Sequence, residues 1–220
     1  MTVQGPLEEL HPPVRAAFEA LGTRVRIPRK TSIFLEGDPS DSIYVVEEGL
    51  IRVERVLPSG RTVLVNLVGR GGILGELGVL EDKPRSASAS TVDSVRALVV
   101  PADHFVAALQ TGSELHLAFT RWLSRRLREV TEQFLQATSN DAQARICSRL
   151  QHLLSNVDER AEPPIEVPFP ITQAELAQWA GLSREATVRA LRDLKAQGIL
   201  EARRGRLLVN DIGAVFERGA

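Results

Sequence analysis

The feature that most constrains this chain is a change of period near residue 102. Before it, short β-type runs alternate with glycine and polar turns; after it, apolar residues recur at helical intervals. Residues 32–35, 43–46, 50–56, 62–67 and 95–100 form the runs, and Gly49, Pro58-Ser59-Gly60 and Gly71-Gly72 supply the turns. Strands at this spacing predict an all-β sandwich or barrel, here a β-roll of jelly-roll type. A short helix is expected from Asp103 to Leu109. A longer one follows to about residue 138, with Phe119, Leu123, Val130, Phe134 and Ala137 along one face. Such a stripe either covers the chain's own β-roll or meets a second copy. Arg126 interrupts it, and a charge on an apolar seam calls for a nearby carboxylate.

At roughly 150 residues per domain, 220 residues suggest one large or two modest domains. With 43% hydrophobic and 25% charged residues, the chain is globular, neither disordered nor fibrous. No apolar run is long enough to span a membrane, and Pro6, Glu8, Glu9, Pro12 and Pro13 interrupt the N-terminus, so neither a membrane span nor a secretory signal is expected. Cys147 is the single cysteine. It cannot form an internal disulfide, nor hold an iron–sulfur cluster or structural zinc alone, which points to a cytoplasmic protein without a metal. The β-type runs contain no histidine, and His11, His104, His116 and His152 show no ligand-like grouping. A cupin-type metal oxygenase needs histidines on its strands, so an enzyme of that kind is not expected. A net charge of −1 does not by itself predict nucleic-acid binding; the placement of the charges matters more.

Residues 155–171 are proline-dense and read as a long connection. Thr172-Gln173-Ala174-Glu175 then forms a capping box that starts a helix. That helix runs through Trp179 to Gly181, and Ser183 caps a second one continuing to about Ala196, with Gly198 just past its end. Two short helices joined at a glycine turn make a helix-turn-helix. On the second, Thr187, Ala190, Leu191 and Leu194 share the inward face, leaving Arg184, Glu185, Arg189 and Arg192 outward. Arginine donates two parallel hydrogen bonds to guanine O6 and N7, and glutamate accepts from cytosine N4. A hairpin bearing Arg203, Arg204 and Arg206 would add phosphate contacts as a wing. The competing reading is a solvated face of internal ion pairs.

Gly75-Glu76-Leu77-Gly78, with Pro84-Arg85-Ser86-Ala87 soon after, places a carboxylate and a guanidinium on a glycine-rich segment of the β-roll. Arg85 could clamp a phosphate with help from the Ser86 hydroxyl and nearby N–H groups, while Glu76 accepts from a ribose hydroxyl. A purely structural Glu76–Arg85 pair would account for the same residues.

The segment from Gly75 to Ala89 resembles the phosphate-binding cassette of the cyclic-AMP receptor (catabolite activator) family, which also includes the fumarate and nitrate regulators. Ser124-Arg125-Arg126-Leu127 resembles that family's dimer helix, and Leu182-Ser183-Arg184-Glu185 with Arg189 its recognition helix. The resemblance covers nearly the whole chain. It implies an α+β architecture: a cyclic-nucleotide-binding β-roll over residues 1–112, a dimerisation helix over 113–139 and a winged helix-turn-helix over 140–220. It further implies that cyclic AMP is an effector held by Gly75, Glu76, Leu77, Arg85, Ser86 and Ala87, with Arg126 pairing with Glu76. The family's adenine-contacting threonine and serine fall on Val130 and Thr131 here, so one hydroxyl is missing. Thr172, Gln173, Ser183, Arg184, Glu185, Thr187, Arg189, Arg192, Arg203 and Arg204 would face DNA. The implied partners are a second copy of the chain, a double-stranded palindrome with GTG-type half-sites that bends on binding, and RNA polymerase. No N-terminal cysteine cluster is present, which excludes the iron–sulfur branch. A nucleotide-independent regulator, or a sensor of cyclic GMP or a cyclic dinucleotide, stays open.

Overall fold

The computed structural model describes residues 5–137, 141–154, 162–169, 171–203 and 205–219. They fall into two compact units that divide between Leu127 and Arg128.

The first unit opens with a 3-10 turn (Pro6–Glu9) and α1 (Pro12–Glu19), each carrying proline in its first turn, where no N–H is needed. Eight strands follow: β1 (Thr23–Ile27), β2 (Ser32–Phe34), β3 (Ser42–Glu48), β4 (Ile51–Val56), β5 (Thr62–Val68), β6 (Ile73–Leu74), β7 (Ser88–Thr91) and β8 (Val95–Pro101). A short helix, α2 (Glu76–Glu81), sits between β6 and β7. All strand pairs are antiparallel, and they build two four-stranded sheets, β1-β8-β3-β6 and β2-β7-β4-β5. This is the expected β-roll. The turn at 58–60 joins β4 to β5, with the Gly60 N–H donating to the Leu57 carbonyl at 2.8 Å. The sequence reading passes over α1, β1, β6, β7 and α2, of which β6, β7 and α2 are too short to show a period.

Alternation along β3 and β8 explains the two cores. Val46 on β3 and Val95 and Ala97 on β8 face the roll interior with Ile51, Val68 and Ala89. Their neighbours Ile43, Val45, Leu98 and Val100 point the other way, into a second core with Phe18, Phe105, Phe119 and Trp122. That second core is closed by α1, by α3 (Ala102–Thr111) and by the start of α4 (Ser113–Ala137). Its rings stack edge-on: Phe105 lies 6.3 Å from Phe18 and 5.1 Å from Phe119, centroid to centroid.

The apolar stripe of α4 therefore has two fates. Phe119 and Trp122 are buried with the roll and Leu123 packs against them. Further along, Val130 is 55% and Phe134 70% exposed in the single chain. The side chains of Ala137 and His152 lie outside the described set.

In the second unit, α5 (Ala142–Leu154) is a helix the sequence reading does not mark. The connection ends in a strand, β9 (Ile165–Pro168), whose Ile165 and Val167 are buried while Glu166 and Pro168 are exposed. Residues 155–161 of the connection lie outside the described set. Then come α6 (Gln173–Trp179), α7 (Arg184–Ala196), the hairpin β10 (Leu200–Arg203) and β11 (Arg206–Val209), and α8 (Ile212–Arg218). β9 adds to the hairpin, giving the sheet order β10-β11-β9. This is a winged helix-turn-helix with a third strand in its wing sheet.

Phe105 has no exposed surface and touches two other rings. Phe105→Ala is expected to cost about 3–5 kcal/mol through lost burial and the cavity left behind, measured by denaturant unfolding of the purified variant.

Candidate functional site

In the first unit, the loop from β6 into α2 must bring its backbone against an arginine. Gly75 adopts φ +83°, and a Cβ there would lie 2.1 Å from the Arg85 guanidinium nitrogen Nη1. Only glycine permits that approach. Arg85 is 3% exposed. Its Nη1 donates to the Gly75 carbonyl at 3.2 Å, and its Nη2 to Asp41 Oδ1 at 3.1 Å and Ser42 Oγ at 3.3 Å. The guanidinium also lies over the Phe34 ring, 4.4 Å from its centroid. Its Nε is buried without an acceptor, and so is the nearby Ser40 Oγ without a partner. A Cβ on Gly78 would meet that same Ser40 oxygen at 2.0 Å. Buried donors left unsatisfied beside a glycine cradle fit an anionic ligand bearing hydroxyls.

Glu76, on the first turn of α2, is 7% exposed. Burial pushes its carboxyl above the ordinary glutamate range, against the opposing pull of its own backbone N–H and of the Arg126 and Arg85 charges. Among the described residues no ion pair joins Arg126 to Glu76; the guanidinium acts on the carboxylate through its charge. Leu77 is largely exposed, Ser86 is exposed, and Ala87 is buried. The structure thus gathers Gly75, Glu76 and Arg85, with Arg126 near enough to be felt. Val130 and Thr131 fall in the second unit, both exposed. The sequence reading passes over Phe34, Asp41 and Ser42, which hold Arg85. Phe34 ends β2, Ser42 opens β3 and Asp41 immediately precedes it, more than 40 residues away in the chain for Asp41 and Ser42, and only the folded sheets bring them to Arg85.

The second unit presents α7. Its N-cap is Ser183, whose hydroxyl accepts from the Ala186 N–H at 3.1 Å, and the Thr172–Glu175 capping box of α6 is formed in both directions. Arg184, Glu185, Arg189 and Arg192 are all exposed on one face. The helix N-terminus and the Ser183 hydroxyl hold the Glu185 carboxyl below its ordinary range, so it is an ionised acceptor at neutral pH. Thr187 must be corrected. It is fully buried, its hydroxyl donating back to the Ser183 carbonyl at 3.0 Å, so its side chain cannot reach a duplex. Val188, exposed beside Arg189, is an apolar group on the same face that the sequence reading omits. Thr172, Gln173 and Ser183 are exposed. On the wing, Arg203 pairs with Glu201 at 3.2 Å and Arg206 with Glu166 at 2.7 Å. Arg204 lies outside the described residues. Cys147 on α5 has no exposed surface, and burial pushes its thiol up to about 11.

Residues 24–111 match the cyclic nucleotide-binding domain family and residues 144–215 the Crp-like helix-turn-helix domain family. The chain belongs to the CRP/FNR family of transcription regulators. It is 28% identical over 207 residues to the CRP-like cAMP-activated global transcriptional regulator of Mycobacterium tuberculosis, a match covering 94% of this chain and 92% of that one. The cyclic AMP receptor protein of Thermus thermophilus is also 28% identical, over 86% of this chain and 85% of its own. Among solved structures, the c-di-GMP-responsive global regulator CLP of Xanthomonas campestris superposes with a TM-score of 0.70 at 25% identity, covering 91% of this chain and 99% of that one. The relatives are transcription regulators rather than enzymes. Among the described residues no helix is long and apolar enough to cross a membrane.

Two outcomes follow from this geometry. A carboxyl whose folded-state pKa is raised adds stability below its unfolded pKa and loses it as pH rises through the folded value. Glu76→Gln is therefore expected to melt higher than the parent at pH 7, with the gap closing near pH 4, as read by calorimetric melting at both. Arg189→Ala is expected to weaken operator binding by about 1–3 kcal/mol with relaxed preference at one base pair. Fluorescence anisotropy on a set of single-base operator variants reads this, and equal weakening on all of them would make Arg189 a phosphate contact.

Proposed function

We propose that this protein is a homodimeric transcription regulator whose affinity for DNA is set by a cyclic nucleotide, and that the nucleotide is cyclic AMP. The observation that carries the reading is Arg85, a buried guanidinium in a glycine cradle with one donor still unsatisfied. In this reading Arg85 and Ser86 hold the cyclic phosphate and Glu76 accepts from the ribose hydroxyl, with Gly75, Leu77 and Ala87 shaping the site. Arg126 balances the Glu76 charge. Relatives described as cAMP-activated and as a cyclic AMP receptor support the choice of nucleotide.

The exposed apolar residues Val130 and Phe134 support a second copy packing along α4, since water-facing rings and β-branched side chains on one stripe gain about 25 cal/mol per Å2 when covered. A two-fold dimer presents two α7 helices to successive major grooves about 34 Å apart, hence a palindromic operator. Arg184, Glu185 and Arg189 read bases in GTG-type half-sites, while Thr172, Gln173, Ser183, Arg192, Arg203 and Arg204 contact the backbone. Regulation requires that the nucleotide bind the DNA-competent arrangement more tightly than the other. The protein works in the cytoplasm beside RNA polymerase. A cyclic dinucleotide is the second reading: Val130 stands where the cyclic-AMP receptors carry a hydroxyl for the adenine, and the CLP relative is c-di-GMP-responsive.

The test is anisotropy binding to a labelled GTG-core palindrome at fixed salt, without nucleotide and with cyclic AMP, cyclic GMP or c-di-GMP. Stimulation by cyclic AMP and its loss in Arg85→Ala are expected. Stimulation by c-di-GMP alone would establish the second reading, and tight binding with no nucleotide response would make the cassette structural. Val130→Thr is expected to raise the affinity ratio of cyclic AMP over cyclic GMP, measured by calorimetry.

A further inference from the structure

Resting on the reading of Arg85 as the phosphate-binding residue, we propose that the Asp41 carboxylate is a built-in competitor for the ligand's phosphate, occupying Arg85 until the nucleotide replaces it, and that Asp41 thereby sets nucleotide affinity.

The contacts around Arg85 lead to this. Arg85 is enclosed on several sides: the Gly75 carbonyl and the Ser42 hydroxyl accept from its Nη nitrogens and the Phe34 ring covers one face, while its Nε is buried without an acceptor. Asp41 is the anion among its contacts, at 3.1 Å. No phosphate reaches a side chain this enclosed unless something yields. Gly75 is fixed by its backbone, and Ser42 is nearly as buried as the arginine itself. Asp41 differs from both, since its side chain is 79% exposed while Arg85's is 2%. Its backbone is anchored, with the Ala102 N–H donating to the Asp41 carbonyl at 2.9 Å. Release is therefore a side-chain rotation into water, losing one bond from the Ser42 hydroxyl at 2.9 Å and one from Arg85.

Charge favours the same exchange. With Asp41 in place, an incoming phosphate would be a second anion on the one Arg85 guanidinium; with Asp41 released, the phosphate takes over as its counter-ion. Stranding a buried arginine without a counter-ion is costly. Exchanging one anion for another avoids that state, because Arg85 is paired at both ends of the process. Ser42, which contacts both Asp41 and Arg85, remains as a neutral partner for either anion.

Isothermal titration calorimetry at fixed salt tests this with cyclic AMP, and with adenosine as a comparator that lacks the phosphate. The proteins are the full-length parent, Asp41→Asn, Asp41→Ala and the charge-retaining Asp41→Glu, with circular dichroism melts reporting the fold of each. Asp41→Asn and Asp41→Ala are expected to bind cyclic AMP about three- to tenfold more tightly than the parent, as fits loss of one charge-assisted contact on a partly exposed pair. Asp41→Glu is expected near the parent value, with no comparable gain for adenosine in any variant. Binding by Asp41→Asn where the parent shows none is the same result in a stronger form. Equal or weaker cyclic AMP binding in both neutral variants overturns the proposal while leaving Arg85 as the phosphate residue. A gain shared equally by adenosine overturns it too, because that is a general loosening of the site. Absence of cyclic AMP binding in the parent and all variants overturns both this proposal and the cyclic-AMP reading beneath it.

Discussion

Two central strands buried on both faces organise the first unit. β3 and β8 send alternate side chains into the roll interior and into the aromatic core outside it. Such strands read as nearly continuous apolar runs, and they hold whatever adjoins them with little freedom. Ser42 opens β3, and Asp41 immediately precedes it, so the groups that grip Arg85 are placed by a strand buried on both faces. The same sheet anchors Phe105, Phe119 and Trp122 on its other side, which ties the beginning of α4 to the roll.

How much was legible in the sequence follows from how local each signal is. The β-roll, the Thr172–Glu175 capping box, the Ser183 cap, the glycine turns at 60 and 198 and the outward arginines of α7 all rest on patterns within a dozen residues, and all are present. α5 and β9 were missed for different reasons. α5 is announced only by Asp141, whose carboxylate accepts from the Gln143 and Ala144 N–H groups, a cap the sequence reading does not use. In β9 the alternation of Ile165 and Val167 with Glu166 and Pro168 was overshadowed by the prolines around it, although Pro168 at an exposed position is compatible with a strand. The stripe on α4 posed a choice between covering the roll and meeting a partner. The helix does the first with its early turns and leaves its later turns exposed, an outcome no periodicity separates.

In the cassette the residue types were legible and their environment was not. Glycine, glutamate and arginine at this spacing announced an anion site, but the sequence could not say that Arg85 would be sealed beneath Phe34 and paired across the sheet. Conversely, Thr187 looks like a recognition residue by neighbourhood and is a core hydroxyl by geometry, because position i+4 from the Ser183 cap turns it inward to that residue's carbonyl. The helical-face count in the sequence already turns Thr187 inward, and the structure agrees with that count rather than with the family carry-over.

Cys147 carries a consequence of another kind. With its thiol pushed up to about 11 and no exposed surface, only roughly one molecule in ten thousand carries a thiolate at pH 7, and that one is shielded. Thiol-directed reagents should find no accessible thiol on the folded chain. A cysteine introduced at an exposed position, on the outer face of α7 or the last turns of α4, would then be the one accessible thiol, so thiol-linked spectroscopic probes can be attached to either element without first removing the native residue.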